Sequence, residues 1–410
     1  MLDGPLTEIQ LITLSGEDQP GVTAGITGIL AGHSVNILDI GQSVIHATLS
    51  IGVLIEVPGD GQRAIIQEAI QAFANERGLQ SRFSDVSSES YSEWVAAQGR
   101  SRRIITLLAR KITADQLTRV TNVVHRHGLN IDGINRLSGR IPLGELPPLS
   151  KACVEFSVRG EVEDADHFRR ELLEVAAALD VDLAIQQDNM YRRNRRLVAF
   201  DMDSTLIEAE VIDELAKAAG VGAQVSAITE RAMRGELDFS ESFRERVALL
   251  AGLSESVLED IAEALKISEG AEHLISTLNR LGYKTAILSG GFNYFARYLQ
   301  QRLGIDYVYA NELDIEDGVV TGKVHGDIVD GQRKAALLRE LAAREGIDLQ
   351  QVIAVGDGAN DLPMLSIAGL GVAFRAKPLV KQSAEQSIST LGLDAILYLL
   401  GISDRYQNPR

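Results

Sequence analysis

Three short motifs in the C-terminal half of the chain each close an apolar run. Asp201-Met202-Asp203-Ser204-Thr205 follows Leu197-Val198-Ala199-Phe200, and Ser289-Gly290-Gly291 follows the less purely apolar stretch 283–288. Gly356-Asp357-Gly358-Ala359-Asn360-Asp361 follows Val352-Ile353-Ala354-Val355. In an open parallel sheet, ligands bind beyond the carboxyl ends of the strands. If these strands are neighbours, several carboxylates, a hydroxyl and several glycine amides converge on one point. Clustered carboxylates repel each other and are costly unless a cation compensates them. The chemistry implied is Mg²⁺ binding beside a phosphate.

Two rival readings fail on spacing. A calcium loop starting at Asp201 would need its third ligand where Thr205 stands and a glycine where Leu206 stands. A dinucleotide fingerprint at Gly356-x-Gly358 would need its third glycine at Asp361, where an acid would repel a pyrophosphate. No Walker pattern is present. Taken singly, the remaining features have bland alternatives. A bare Asp-x-Asp can be a decorated strand end, and Gly290-Gly291 a simple turn. Lys334 in Gln-Arg-Lys-Ala can be a solvated helix residue, and Asp361 an acid at a helix N-terminus.

The elements that must position these motifs begin at Leu197. From there short apolar strands alternate with helical stretches, which predicts a parallel sheet with helices on both faces, an α/β Rossmann-like domain. The insertion of about 208–269 is helical in pattern and too long for a simple crossover. It predicts a cap over the strand ends.

Upstream, strands at 8–14, 35–42, 48–57 and 79–86 with helices at 22–32 and 61–78 give the order βαββαβ, a ferredoxin-like α+β unit. The order recurs with strands at 104–109, 129–138, 151–159 and 181–186 and helices at 114–127 and 164–179. His33-Ser34-Val35-Asn36-Ile37 matches His127-Gly128-Leu129-Asn130-Ile131, which points to a tandem duplication. The domain boundaries expected are 1–88, 101–188 and 189–410, with the polar stretch 87–103 joining the two copies. His125 and His127 lie two apart on a helix, do not face each other, and read as solvated rather than as a metal pair.

A chain of 410 residues accommodates two to three domains, and 45% hydrophobic with 24% charged residues fits a soluble globular protein. The net charge of −17 disfavours nucleic acid and anionic membrane as partners. The only cysteine, Cys153, excludes an intrachain disulfide and suits a reducing cytoplasm. Met1-Leu2-Asp3-Gly4 lacks the basic region and apolar core of a signal peptide, and no run approaches the ~20 apolar residues of a membrane span.

From Leu197 to about Leu393 the motifs together resemble the haloacid dehalogenase superfamily, and within it the phosphoserine phosphatase family. The N-terminal half resembles two ACT domains, which sense amino acids. The resemblance implies Mg²⁺-dependent hydrolysis of O-phosphoserine to serine and phosphate, the last step of serine biosynthesis. It makes Asp201 the nucleophile that forms an aspartyl-phosphate and Asp203 the general acid and base. It gives Mg²⁺ to Asp201, the Asp203 carbonyl and Asp357, with Asp361 orienting that shell. Ser289, the Gly290 amide, Lys334 and Asn360 would hold the phosphate. Glu210 would meet the substrate ammonium and Arg246 its carboxylate, with Met233 and Phe239 as apolar lid residues. Without the resemblance, Met233 and Phe239 at helical spacing would read as core and Glu210 as part of an acidic helix start. Asp18-Gln19-Pro20-Gly21 matches the turn with which ACT domains contact an amino acid. Asp18, Gly21 and Asn36 are therefore the candidate effector site, with serine as the expected effector and a homodimer interface as its setting. The second copy has Lys111-Ile112-Thr113-Ala114 there and lacks the Pro-Gly. Two rivals remain: phosphoryl transfer to an alcohol or another phosphomonoester substrate, and an amino-acid sensor with a silent catalytic half.

Overall fold

The structure, a computed structural model, describes residues 8–407 apart from 60, 100, 145 and 146. The Met1–Gly4 stretch inspected for a leader lies outside the described residues. The chain divides into two compact units, 1–100 and 101–410.

In the first unit, β1 (Ile9–Glu17), β2 (Asn36–Ile45), β3 (Thr48–Glu56) and β4 (Gln80–Val86) form an antiparallel sheet in the order β2-β3-β1-β4. Helices Val22–Gly32 and Gln62–Glu76 cover one face. The pattern is one-sided. Leu49, Ile51, Val53 and Ile55 alternate inward along β3 and meet Ile26 and Ile70 from the helices. The stretch expected to be a linker contains a helix instead, Ser88–Ala96. Ser87 starts it by accepting the Ser90 N–H, an N-cap that the polar composition hides.

In the second unit, β5 (Arg102–Ala109), β6 (Asn130–Arg136), β7 (Ala152–Arg159) and β8 (Asp182–Gln187) repeat the order as β6-β7-β5-β8. This copy is not one-sided. From Ile104 to Ala109 every residue of β5 is buried, and Leu108, Cys153 and Ala184 join the same core as Val198 and Phe200. The continuous run Ile104-Ile105-Thr106-Leu107-Leu108 is the sequence trace of a strand covered on both faces. Polar groups complete the seam. The Asp182 carboxylate accepts the Ser389 and Thr390 N–H groups at 2.9 and 2.7 Å. Asp404 accepts the Tyr398 hydroxyl and the Gly139 N–H, each at 2.6 Å. The second copy and the catalytic sheet therefore share one core rather than meeting as separate globules. His127 is not solvated: it packs edge-on against Phe168 at 5.0 Å and faces Glu171.

The catalytic sheet contains β9 (Leu197–Phe200), β10 (Lys284–Phe292), β11 (Tyr307–Glu316), β12 (Val319–His325), β13 (Val352–Gly356), β14 (Leu370–Phe374) and β15 (Gln386–Ile388). Its order is β12-β11-β10-β9-β13-β14-β15, parallel except for the β11–β12 hairpin. The fully buried β9 pairs with β10 on one side and β13 on the other, so all three motif-bearing strands are adjacent. The chain turns to opposite sides of β9, the switch point at which open α/β sheets form a crevice. Four helices, Val211–Ala218, Gly222–Met233, Phe239–Ala248 and Ser256–Ala264, form the insertion between β9 and β10. Among the described residues no helix is long and apolar enough to cross a membrane.

Candidate active site

Asp201 follows β9 directly and is buried, its N–H bonded to the Val355 carbonyl at 2.8 Å. Helix Gly331–Glu345 starts at the N-cap Asp330 and places Lys334 beneath it. Lys334 is fully buried and donates from Nζ to Asp201 Oδ1 at 2.6 Å and to Asp361 Oδ1 at 2.7 Å. A cation in a first helical turn opposes the helix dipole, so the two carboxylates must compensate it. Burial alone would push the ammonium down, but Asp201 and Asp361 outweigh it and hold it above its ordinary value. This arrangement excludes the solvated-helix reading of Lys334.

Asp203 leaves the strand two residues on, and its Oδ1 accepts the Val211 N–H at 2.9 Å. Burial first, then the Glu210 charge, pushes its carboxyl up to about 8. Across from it, a Cβ at Gly291 would stand 2.4 Å from Asp203 Oδ2, and one at Gly290 would stand 2.8 Å from the Phe239 ring. Both glycines are thus required by close approach, and the simple-turn reading falls. Ser289 is fully buried and its Oγ accepts the Gly291 N–H at 2.9 Å. Asn311 holds this turn from β11. Its Nδ2 donates to the Gly290 carbonyl at 2.8 Å and its Oδ1 accepts the Val329 N–H at 2.8 Å. Sequence reasoning missed Asn311: it is buried, but the mixed stretch Tyr309-Ala310-Asn311-Glu312 does not mark it as inward-facing.

Asp357 and Asp361 come from the turn after β13. Burial first, then the Asp361 charge, pushes the Asp357 carboxyl up to about 7. The same two causes, in the same order, raise Asp201 well above the carboxylate range. Asp361 Oδ2 accepts the Gly358 N–H at 3.0 Å, while its Oδ1 takes Lys334. Asn360 packs its Oδ1 against Gly358, where a Cβ would lie 2.3 Å away. Carboxylate oxygens of Asp201, Asp357 and Asp361 all lie within 4.8 Å of one another. Three such groups and Asp203 face one ammonium, a surplus of buried negative charge that a cation would satisfy. The donors are all hard oxygens, which fits Mg²⁺.

A cleft of about 840 Å³ opens above these groups. Asp201, Asp203, Glu210, Met233, Phe239, Arg246, Gly290, Asp357 and Asn360 all line it. Ser289 and Lys334 are buried beneath rather than exposed in it. Glu210 Oε1 accepts the Ser204 hydroxyl at 2.8 Å. Arg246 lies on the cap side. Burial lowers its guanidinium, opposed by Glu210, Asp213 and Asp203. Asp213 and Lys377 also line the cleft, and sequence reasoning overlooked both.

In the first unit, Asp18 to Gly21 line a small pocket at the N-terminus of helix Val22–Gly32. Gly21 has φ 90°, and Arg77 fastens the turn by donating to the Pro20 carbonyl at 3.1 Å. Asn36 is not part of this pocket. It pairs with Glu56 at the far end of β2, whereas Asp18 bonds to Ala47 at the near end.

Residues 198–366 match the family model of haloacid dehalogenase-like hydrolases, and residues 8–84 and 101–186 match ACT domain models. The chain is 41% identical to a phosphoserine phosphatase of Streptomyces coelicolor, covering 96% of this chain and 92% of that protein. It is 42% identical to a phosphoserine phosphatase of Mycobacterium tuberculosis, covering 96% and 93%. A crystal structure of a probable phosphoserine phosphatase from Vibrio cholerae matches with TM-score 0.59 and 35% identity, over 73% of this chain and 86% of that one.

Proposed function

This chain belongs to the phosphoserine phosphatase family of haloacid dehalogenase-like hydrolases, with two ACT domains, and we propose that Asp201 is its phosphorylated nucleophile. The observation that carries this is the Asp201–Lys334–Asp361 cluster at the end of β9, buried below an open cleft. The Asp201 carboxylate attacks phosphorus in line, and the serine oxygen leaves with a proton from Asp203. Burial and the Glu210 charge both favour the protonated Asp203 carboxyl, the form a general acid needs. Asp203, left ionised, then takes a proton from the water that hydrolyses the acyl-phosphate. Lys334 offsets charge on the phosphoryl oxygens, and Ser289 with the Gly290 amide holds them. Haloacid dehalogenase-like phosphatases generally use Mg²⁺, and here Asp201, Asp357 and the Asp203 carbonyl would hold it, with Asp361 orienting. When bound, Mg²⁺ supplies neutralising charge to the transferred group.

Glu210 and Arg246 face the cleft with opposite charges, which suits the ammonium and carboxylate of a free amino acid. The substrate proposed is O-phosphoserine. The ACT domains suggest regulation by an amino acid, and serine at the Asp18–Gly21 turn is the effector proposed. Phosphate release from a panel of phosphomonoesters, with Mg²⁺ or EDTA, tests this reading. Phosphoserine should be the preferred substrate, and Asp201→Asn should abolish turnover with the fold unchanged. Comparable rates in Asp201→Asn and the wild type would sink the mechanism.

A further inference from the structure

The cap is attached through two short segments that pair side by side. Ile207 bridges Ile267, the Glu208 N–H donates to the Lys266 carbonyl at 2.9 Å, and the Ser268 N–H donates to the Leu206 carbonyl at 2.9 Å. The first segment runs straight on from the loop that carries Asp201 and Asp203. Hinges of this kind are a few residues at element ends that absorb the rotation of a lid.

Charged groups hold this hinge, some of its own and some from outside the cap. Glu208 forms an ion pair with Lys266 across the two segments. Arg375, next after β14, reaches Glu208 at 3.7 Å and Glu269 at 2.6 Å. Its φ of 45° is left-handed, a conformation that a non-glycine residue keeps only where its surroundings impose it. The second ACT domain supplies the rest. Arg110, in the turn after β5, donates Nη1 to Glu269 Oε1 at 2.8 Å and Nη2 to Oε2 at 2.9 Å. The Ser150 hydroxyl steadies the turn by donating to the Arg110 carbonyl at 3.0 Å. One residue on, Lys151 pairs with Asp394, and a Cβ at Gly270 would stand 2.4 Å from that carboxylate. The exit of the cap at Glu269 and Gly270 is therefore gripped from two sides. Burial pushes the Glu269 carboxyl up, yet Arg110 and Arg375 outweigh it and hold it below its ordinary value.

We propose that Arg110 and Glu269 are positioning residues for the phosphatase reaction. The second ACT domain braces the cap hinge, so that Glu210 and Arg246 stand in register with Asp201. The turn that an effector would use in the first ACT domain is engaged here by a carboxylate of the same chain. The brace depends on a planar two-pronged fork, which lysine cannot reproduce. The inference rests on the phosphoserine reading of the cleft.

The test uses full-length Arg110→Ala, Arg110→Lys, Glu269→Gln and the double variant Arg110→Ala/Glu269→Gln. Each is assayed on phosphoserine and on p-nitrophenyl phosphate, which carries no amino-acid group for the cap to recognise. Hydrogen exchange is followed at residues 205–208 and 266–270. Arg110→Ala and Glu269→Gln should each lower kcat/KM for phosphoserine about tenfold, mostly through KM, as losing a charge-assisted pair would. Hydrolysis of p-nitrophenyl phosphate should stay close to wild type, Arg110→Lys should fall between, and the hinge amides should exchange faster. The double variant should be no worse than the worse single one, because both remove the same contact. Unchanged phosphoserine kinetics in Arg110→Ala overturns the proposal, whatever the exchange shows. Equal losses on both substrates with a lowered Tm also overturn it, since the pair would then serve only folding. Wild-type turnover of phosphoserine tests the substrate reading separately.

Discussion

Lys334 Nζ lies 2.6 Å from Asp201 Oδ1; the lysine is sealed from solvent, while the carboxylate lines the cleft. The lysine is thus placed to act on the nucleophile and on whatever charge gathers there. Lys334→Met should reduce kcat by about 10²–10³, the size of effect seen when one preorganised donor is removed from a transition state. Breaking a buried pair by removing one partner typically costs about 3–5 kcal/mol. The metal-free variant should therefore melt at lower temperature than the metal-free wild type, and Mg²⁺ should recover part of the loss. A Lys334→Met protein with near wild-type kcat would remove Lys334 from the chemistry.

Gly291 makes a sharper geometric claim. A methyl group there would stand 2.4 Å from Asp203 Oδ2, so Gly291→Ala must push the acid out of place. Misplacement by about 1 Å can cost about 10²-fold in rate, and kcat should fall by that order with the fold intact by circular dichroism. Gly290→Ala instead meets the Phe239 ring at 2.8 Å. That change should act on cap closure and raise KM more than it lowers kcat. Identical kinetic signatures for the two variants would contradict this division.

The catalytic strands were legible because each is a short apolar run ending in polar or glycine residues. Their adjacency was not, since nothing local to Phe200 says that Ile287 and Val355 flank it. The two-sided burial of β5 is readable in Ile104-Ile105-Thr106-Leu107-Leu108, an unbroken apolar run but for Thr106, where β3 alternates. What covers the second face lies some 90 residues away in sequence, at Val198 and Phe200. Lys334 illustrates the limit of local reading. Its immediate neighbours Gln332 and Arg333 are exposed, and only the helical spacing from Lys334 to Leu337, Leu338 and Leu341 further along marks its face as the buried one. Asn36 shows another limit: helix Val22–Gly32 intervenes in sequence, and the length of β2 separates it from Asp18.

The acidic cluster predicts a coupling between pH, Mg²⁺ and stability. In the metal-free protein Asp357 is pushed up to about 7 and Asp203 to about 8. For a carboxyl raised on folding, the folded state binds the proton more tightly than the unfolded state. The resulting stability is fully present below the unfolded value near 4 and is lost as pH rises through the folded values. The metal-free Tm should therefore fall as pH rises through about 7 and 8. Mg²⁺ needs ionised ligands, so its stabilising increment should grow across the same window. Thermal melts at fixed ionic strength with EDTA or Mg²⁺ will check both slopes. An increment that stays flat from mildly acidic to alkaline pH would mean that these carboxyls are already ionised without metal.

Arg246 carries the prediction on specificity. Among the described residues it forms no ion pair, although Glu210, Asp213 and Asp203 all bear on its charge. Its guanidinium donates from Nε to the Ser242 carbonyl at 3.3 Å, and among the described residues the outer nitrogens have no hydrogen-bond partner, which leaves them for a ligand in the cleft. A guanidinium so placed suits the planar carboxylate of an amino acid. A hydrogen bond to a charged group contributes roughly 1.5–3 kcal/mol, so Arg246→Ala should lose about tenfold or more in kcat/KM on phosphoserine. Phosphoethanolamine has the ammonium and the phosphate but no carboxylate, and its hydrolysis should change little. Glu210→Gln should do the reverse, weakening the preference for substrates that bear an ammonium group. The comparison is internal to each variant, so a modest loss of folded protein cancels from the ratio. If Arg246→Ala lowers both substrates by the same factor, the arginine serves cap closure in general, and the carboxylate must be read by another group in the cleft, Lys377 being the other cation that lines it.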